Sequence, residues 1–192
     1  FQRKKKGIIQ SNIYPIAKIK ALNKETIFTV KADLKKITSK RKSICGLKFD
    51  SPQIMGALNI TPDSFSDGGL FFDDSKAFDQ ANLMIKSGAA VIDVGGESSR
   101  PGSKVVNEKN EWDRIKNTVI KLKKIFPKVP LSLDTRKSYV MKKGIECEVN
   151  IINDVSGLNF DKKSFDVINS KSTPFILHHM QGTPDIMQKN PN

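Results

Sequence analysis

The stretch Val129-Pro130-Leu131-Ser132-Leu133-Asp134-Thr135-Arg136-Lys137, VPLSLDTRK, decides the fold. Side chains alternate along a strand. Val129, Leu131 and Leu133 therefore share one face, to be covered by helices, while Ser132 and Asp134 share the other. A strand with an apolar back and a carboxylate at its exit spends its end on chemistry. The same cadence recurs on both sides. Short apolar runs at 53–59, 89–95, 129–134, 149–153 and 175–180 each carry a polar residue at the strand exit: Asn59, Asp93, Asp134, Asn153 and His179.

Between the runs lie segments of helical period. Residues 75–87 put Ala77, Ala81 and Met84 on one face, with Gly88 just past the end. Residues 108–126 align Trp112, Ile115, Val119, Leu122 and Phe126, and Pro127 stops them. Two shorter helices are expected at 138–143 and 162–169. Strands alternating with helices imply parallel βαβ units, and nearly continuous apolar strands imply burial on both faces.

A doubly wound sheet and a (β/α)8 barrel both satisfy that pattern. The first βα loop carries neither GxGxxG nor GxxxxGK[ST], which counts against dinucleotide and P-loop versions. Polar residues at the exits of successive strands are how a barrel builds its site. The expectation is an α/β fold, a (β/α)8 TIM barrel of which this chain holds about the first five strands, since a whole barrel needs about 250 residues. The lack of an initial Met and the final QKNPN read as cut ends. Residues 53–192 are assigned to the barrel, and residues 1–52 to a basic N-terminal extension or lead-in. Within the latter, 26–30 (TIFTV) reads as a strand and 33–37 as a short helical turn.

Composition narrows the class. Of 192 residues, 38% are hydrophobic and 28% charged, the balance of a folded domain rather than a disordered chain. No apolar stretch approaches the ~18–20 residues that cross a membrane, and FQRKKKG has no apolar signal region. Cys45 and Cys147 form no metal or redox spacing, so unpaired thiols and a cytoplasmic location are expected. The net charge of +13 suggests nucleic acid until it is located. Residues 1–50 hold 14 Lys/Arg against 3 Asp/Glu, so +11 lies there and residues 51–192 carry only +2. The one true run, Arg3-Lys4-Lys5-Lys6, has no interleaved aromatics on which bases could stack. A solvated basic extension is favoured over a nucleic-acid arm.

The strand exits suggest a ligand. In VNIINDVSG, Val149, Ile151 and Asn153 share a face and Asp154 lies opposite. Inward Asp134 and Asn153 at neighbouring strand tops form a hydrogen-bonding floor of acceptors and amide donors. Such a floor suits a flat heterocycle with adjacent N–H groups, such as an aminopyrimidinone edge. Each residue alone could equally cap the next loop or helix; matched exits on successive strands make that reading less economical. In VGGESSRPGS, residues 94–103, Gly95 and Gly96 allow close backbone approach. Ser99 supplies a hydroxyl, Arg100 a planar fork for phosphate, and Pro101 and Gly102 fix the turn. Beside Asn59 this loop looks like an anion site that could also hold Mg²⁺. His178 and His179 point to opposite faces, so one lines the site and the other does not, and a metal pair is not expected.

The motifs IMGALNITPDSFSDGG, GAAVIDVGGESSRPGS, LSLDTRK, NIINDVSGL and HHMQGTP occur in order over residues 53–188. Together they closely resemble the dihydropteroate synthase family of folate biosynthesis, the target of sulfonamides. The resemblance implies a (β/α)8 barrel that joins 4-aminobenzoate to 6-hydroxymethyl-7,8-dihydropterin pyrophosphate and releases pyrophosphate. It implies a pterin ring on Asp134 and Asn153, with Asn59 on Mg²⁺ and pyrophosphate. Ser99, a Thr in the relatives, and Arg100 would also hold pyrophosphate. Phe65 and Pro101 would line the aminobenzoate pocket as two loops close, and Asp67 would pair with Arg100. Asp134 and Arg100 are the catalytic candidates. The family's later strands supply another Asp, a Lys and an Arg/His pair, which this chain does not reach, so the fragment alone is expected to be inactive. Small-molecule substrates are the expected partners, a homodimer is allowed, and no membrane is involved. Two alternatives stay open: a methyltetrahydrofolate–corrinoid methyltransferase-like domain, and a non-catalytic pterin- or nucleic-acid-binding protein. SSRPGS and ITPDSFSDGG count against the methyltransferase, which needs no pyrophosphate grip.

Overall fold

The computed structural model describes residues 2–5, 8–11, 13, 15–61, 74–98, 103 and 105–178. The chain divides into two compact units, Phe1–Lys42 and Ser43–Asn192.

In the first unit, β1 (Gln2–Lys5) pairs antiparallel with β2 (Ile8–Ser11), Gln2 opposite Ser11 and Lys5 opposite Ile8. Arg3, Lys4 and Lys5 of the basic run thus lie in a paired strand. A 3₁₀ turn (Ile16–Ala21) leads to helix α1 (Lys24–Thr38). Residues 26–30, expected to be a strand, are helical, and the expected turn at 33–37 belongs to the same helix. The β-branched run TIFTV carries only a weak, context-dependent strand preference. The local caps decide against it. Thr26 N–H donates to Asn23 Oδ1 at 2.8 Å, Glu25 sits in the first turn, and Lys35 and Lys36 in the last.

The second unit contains five strands: β3 (Met55–Asn59), β4 (Val91–Gly95), β5 (Leu131–Asp134), β6 (Ile151–Asp154) and β7 (Phe175–Leu177). All are parallel, in the order β3-β4-β5-β6-β7. This order decides between the two architectures. A doubly wound sheet reverses its strand order at a switch point, whereas here every strand adds beside its predecessor, as in a (β/α)8 barrel.

Helices α2 (Asp74–Lys86), α3 (Glu108–Ile125), α4 (Ser138–Glu146) and α5 (Ser164–Ser170) fill the crossovers. Their apolar stripes meet the outward strand residues in one core. Leu58, Ile92, Val94, Leu131, Leu133 and Ile152 pack with Ala77, Ala81, Ile115, Val119, Leu122 and Met141, all at most 1% exposed. Helix α4 runs three residues beyond the expected end at Lys143, through Gly144. A Cβ there would stand 2.3 Å from Leu133 Cδ2, so glycine is kept for close helix–strand packing and not as a stop. The N–H of Ser138, at the start of α4, donates to Asp161 Oδ2 at 2.9 Å, a cap supplied by the loop before α5.

Residues 43–52 pack with this unit. Ile44 and Leu47 exchange backbone hydrogen bonds at 3.1 and 2.8 Å, across Cys45 (φ 51°) and Gly46 (φ 82°). Two successive positive φ values are those of a tight hairpin turn. The turn places Leu47 against Val91 and Ile151, a second apolar cluster on the inward side of the sheet.

Candidate active site

Register stacks the inward side chains in layers. Asn59 pairs with Gly95, Gly95 with Asp134, Asp134 with Asn153, and Asn153 with Ile176. That row is the upper layer. One step down the strands, Ala57 pairs with Asp93, Asp93 with Ser132, and Ser132 with Ile151. The expected floor residues Asp134 and Asn153 are thus neighbours on adjacent strands, and Asn59 joins them across Gly95. A Cβ on Gly95 would lie 3.3 Å from Asn59 Oδ1 and 3.4 Å from Asp134 Oδ2. The missing side chain leaves a notch between these two oxygens. Gly96, expected to face a ligand, instead faces helix α3. Its Cβ would stand 2.7 Å from the Glu111 carbonyl and 3.0 Å from Ile115, and its own carbonyl accepts from Arg114 Nη1 at 2.9 Å.

The floor is polar and short of partners. Asn153 Nδ2 donates to Asp93 Oδ2 at 2.9 Å. Asp93 Oδ1, Asn153 Oδ1 and Ser132 Oγ are buried without a hydrogen-bond partner among the described residues. Burial pushes the Asp93 carboxyl up, opposed by the Ser132 and Asn153 side chains and by His178. Burial also pushes the Asp134 carboxyl from 3.8 up to about 7, with the charges of Asp93, Glu111, Asp154 and Glu97 adding to it. Buried acceptors left unpaired are costly in an apolar core, so this floor is built to meet a donor.

Behind the floor lies an ion network that sequence reading missed. Glu97, in the loop after β4, takes Arg136 Nη2 at 2.8 Å and the Val106 N–H at 2.7 Å, and pairs with Lys137. Lys137 also pairs with Glu111 of α3, whose other oxygen accepts from Thr135 Oγ1 at 2.6 Å. Arg136 stacks over Phe160 at 4.1 Å. Burial alone would raise Glu97, but Lys137, the Val106 N–H and Arg136 outweigh it and hold the carboxyl below its ordinary range. Glu111 goes the other way: burial wins over Lys137 and Thr135, with help from Glu97. The network ties the loop after β4 to the one after β5, where Asp134 ends its strand. TRK after the aspartate was its trace in the sequence, but the partners Glu97 and Glu111 are 40 and 26 residues away.

Not every expected residue can be placed. Phe65, Asp67, Ser99, Arg100, Pro101 and His179 lie outside the described residues. His178 lies near enough for its charge to bear on Asp93. Asp154, expected on the far face, is indeed engaged elsewhere. It accepts from the N–H groups of Ser156 and Leu158 at 2.8 and 3.0 Å and so folds the β6–α5 loop. An apolar cavity of ≈ 420 Å³ between α5 and β7 is lined by Leu158, Phe165, Ile168 and Phe175 and holds no titratable side chain.

A sequence profile for the family described as pterin binding enzyme matches residues 55–192. The chain belongs to the pterin-binding enzyme family. The chain is 40% identical over 145 residues to the dihydropteroate synthase of Neisseria meningitidis serogroup B, covering 74% of this chain and 50% of that protein. It is 41% identical over 145 residues to that of Escherichia coli K12, covering 76% and 51%. Among solved structures it is similar to Yersinia pestis dihydropteroate synthase with a sulfonamide drug complex, at 40% identity and a TM-score of 0.69, covering 76% of this chain and 52% of that one. The Xanthomonas albilineans enzyme with 4-aminobenzoic acid gives 35% identity and a TM-score of 0.67, covering 74% and 53%. The chain spans about half the length of the curated relatives it matches.

Proposed function

We propose that the protein containing this chain is a dihydropteroate synthase, joining 4-aminobenzoate to 6-hydroxymethyl-7,8-dihydropterin pyrophosphate with release of pyrophosphate. The observation that carries the reading is the inward floor: Asp134 stands beside Asn153, whose Oδ1 is buried and unpaired among the described residues while its Nδ2 is held by Asp93. A flat heterocycle with adjacent N–H groups satisfies them. The similarity to dihydropteroate synthases supports the same reading.

In this mechanism the pterin ring lies on Asp134 and Asn153. Asp134 has no hydrogen-bond donor among the described residues and titrates at about 7. A pterin N–H, and then the positive charge that develops on the pterin methylene as its C–O bond breaks, both favour the ionised carboxylate. The ring therefore drives a proton off Asp134, and the carboxylate stabilises the cation before the arylamine adds. Asn59, Ser99 and Arg100 would take the departing pyrophosphate, Asp67 would pair with Arg100, and Phe65 and Pro101 would wall the aminobenzoate site. Mg²⁺ is the fitting cation. The Gly95 notch sets the amide oxygen of Asn59 beside a carboxylate oxygen of Asp134, hard donors of the kind Mg²⁺ takes together with phosphate oxygens. It would neutralise charge on the leaving group. A cytoplasmic location accords with the free thiols of Cys45 and Cys147.

Calorimetry and turnover on the full-length protein test the proposal. Metal-dependent binding of the pterin pyrophosphate, followed by dihydropteroate formation with 4-aminobenzoate, is expected. Pterin binding without turnover would point to a non-catalytic binding protein instead.

A further inference from the structure

Asp93 was visible in the sequence only as one polar strand exit among five. In the structure it lies one layer below Asp134 and Asn153, 7% exposed, with Ala57 and Ser132 as its strand neighbours. It makes one hydrogen bond that matters: Asp93 Oδ2 accepts from Asn153 Nδ2 at 2.9 Å. A carboxylate can only accept, so it selects the NH₂ end of the carboxamide. The opposite end, Asn153 Oδ1, is buried and unpartnered.

We propose that Asp93 is a positioning residue of the pterin site: by holding Asn153 Nδ2 it turns the carboxamide so that its free pole is the acceptor Oδ1. The proposal rests on the functional reading above. Its consequence is a change in what the floor can read. A freely rotating Asn offers donor or acceptor as the ligand requires. A fixed one leaves Asn153 Oδ1 as an acceptor beside the Asp134 carboxyl on the neighbouring strand, a set of acceptors. That set accepts a ring edge made of N–H donors and rejects the same ring when a donor is exchanged for a carbonyl, because two acceptors then face each other unpaired. Asp93 thereby acts on specificity through Asn153 without touching the ligand.

The test compares 6-hydroxymethylpterin with 6-hydroxymethyllumazine, in which the 2-amino donor is replaced by a carbonyl and N1 gains a hydrogen, by calorimetry on the full-length protein. Wild type should prefer the pterin by roughly tenfold or more, the worth of one mismatched buried hydrogen bond. Asp93→Asn is nearly isosteric but can donate as well as accept. It releases the Asn153 orientation, and the pterin-to-lumazine ratio should fall several-fold. An unchanged ratio in a folded Asp93→Asn protein overturns the proposal. Should that variant not fold, side-chain amide NMR of the wild type decides. The Asn153 carboxamide protons should be protected from exchange without ligand and stay on Asp93 when pterin binds. Protons that exchange freely, or transfer to the ligand, overturn it. Wild type that binds neither compound removes the functional reading and this inference with it.

Discussion

Replacing Asp134 by Asn should stabilise the protein at alkaline pH and disable it. The carboxyl titrates near 7 in the folded chain against an ordinary 3.8, a rise of about three pH units, so the ionised form is disfavoured by roughly 4 kcal/mol. The folded value lies above the unfolded one. The favourable contribution of the neutral carboxyl is therefore complete below pH ~3.8, is lost progressively as pH rises toward about 7, and stays lost above it. Asn is neutral throughout and has no such loss. Between pH 5 and pH 8 the variant should gain roughly 3 kcal/mol on wild type, the part of that interval below about 7 at ~1.4 kcal/mol per unit. Titration of Glu97 and Glu111 occurs in both proteins and largely cancels in the difference. Urea denaturation followed by circular dichroism at pH 5, 6, 7 and 8, extrapolated linearly, reads it out. Full-length Asp134→Asn should meanwhile lose turnover, because no carboxylate is left to favour the cation. A stability difference that is flat over this range, or that turns against the variant as pH rises, refutes the argument that burial holds the Asp134 carboxyl above its ordinary range.

Lys137→Met removes the cation shared by Glu97 and Glu111, whose side chains are 10% and 0% exposed. Among the described residues Glu111 then lacks a cation while Glu97 keeps only Arg136, and the urea midpoint should fall by an amount worth about 3–5 kcal/mol. Gly95→Ala puts a methyl into the notch at 3.3–3.4 Å from Asn59 Oδ1 and Asp134 Oδ2. Stability should change by less than about 1.5 kcal/mol while Mg²⁺-dependent binding of the pterin pyrophosphate, measured by calorimetry, weakens about tenfold or more. Gly144→Ala gains about 1 kcal/mol of helix preference but drives a Cβ to 2.3 Å from Leu133 Cδ2, an overpacking cost of about 1–3 kcal/mol. A net loss in urea is expected, and it should shrink in a Leu133→Ala background. Pterin binding at pH 6 should release a proton from Asp134, seen as a calorimetric enthalpy that changes with the ionisation enthalpy of the buffer.

Local periodicity carried most of the barrel unit. Trp112, Ile115, Val119 and Leu122 lie buried along α3 as their spacing requires, and the alternation in VPLSLD correctly turned Leu131 and Leu133 to the helices. The first unit resisted because its decisive signal is a single cap. Asn23 on Thr26 N–H outweighs five β-favouring residues, and propensity averaged over a short window cannot register that. Glycines were the other weak point. Gly95 and Gly96 are adjacent and indistinguishable in sequence, yet one opens a notch in the floor and the other admits helix α3. The alternation of a strand predicts opposite faces for neighbours; it does not say which face holds chemistry.

Depth is what the sequence lacked for Asp93. Alternation put Ser132 and Asp134 on one side of the sheet, with Asn153 expected beside them, but it carries no information about how far each strand is shifted against the next. Only the register, Asp93 with Ser132 and Gly95 with Asp134, shows that Asp93 lies a layer lower and that a glycine occupies the matching place above it. A strand exit bearing Gly where its neighbours bear Asn and Asp is the mark of this arrangement. The polar residue two positions earlier then supports the layer above, here through Asn153 Nδ2. The carboxylate that meets the ligand and the carboxylate that orients its neighbour have the same residue type and face, and differ only by one step of the pleat.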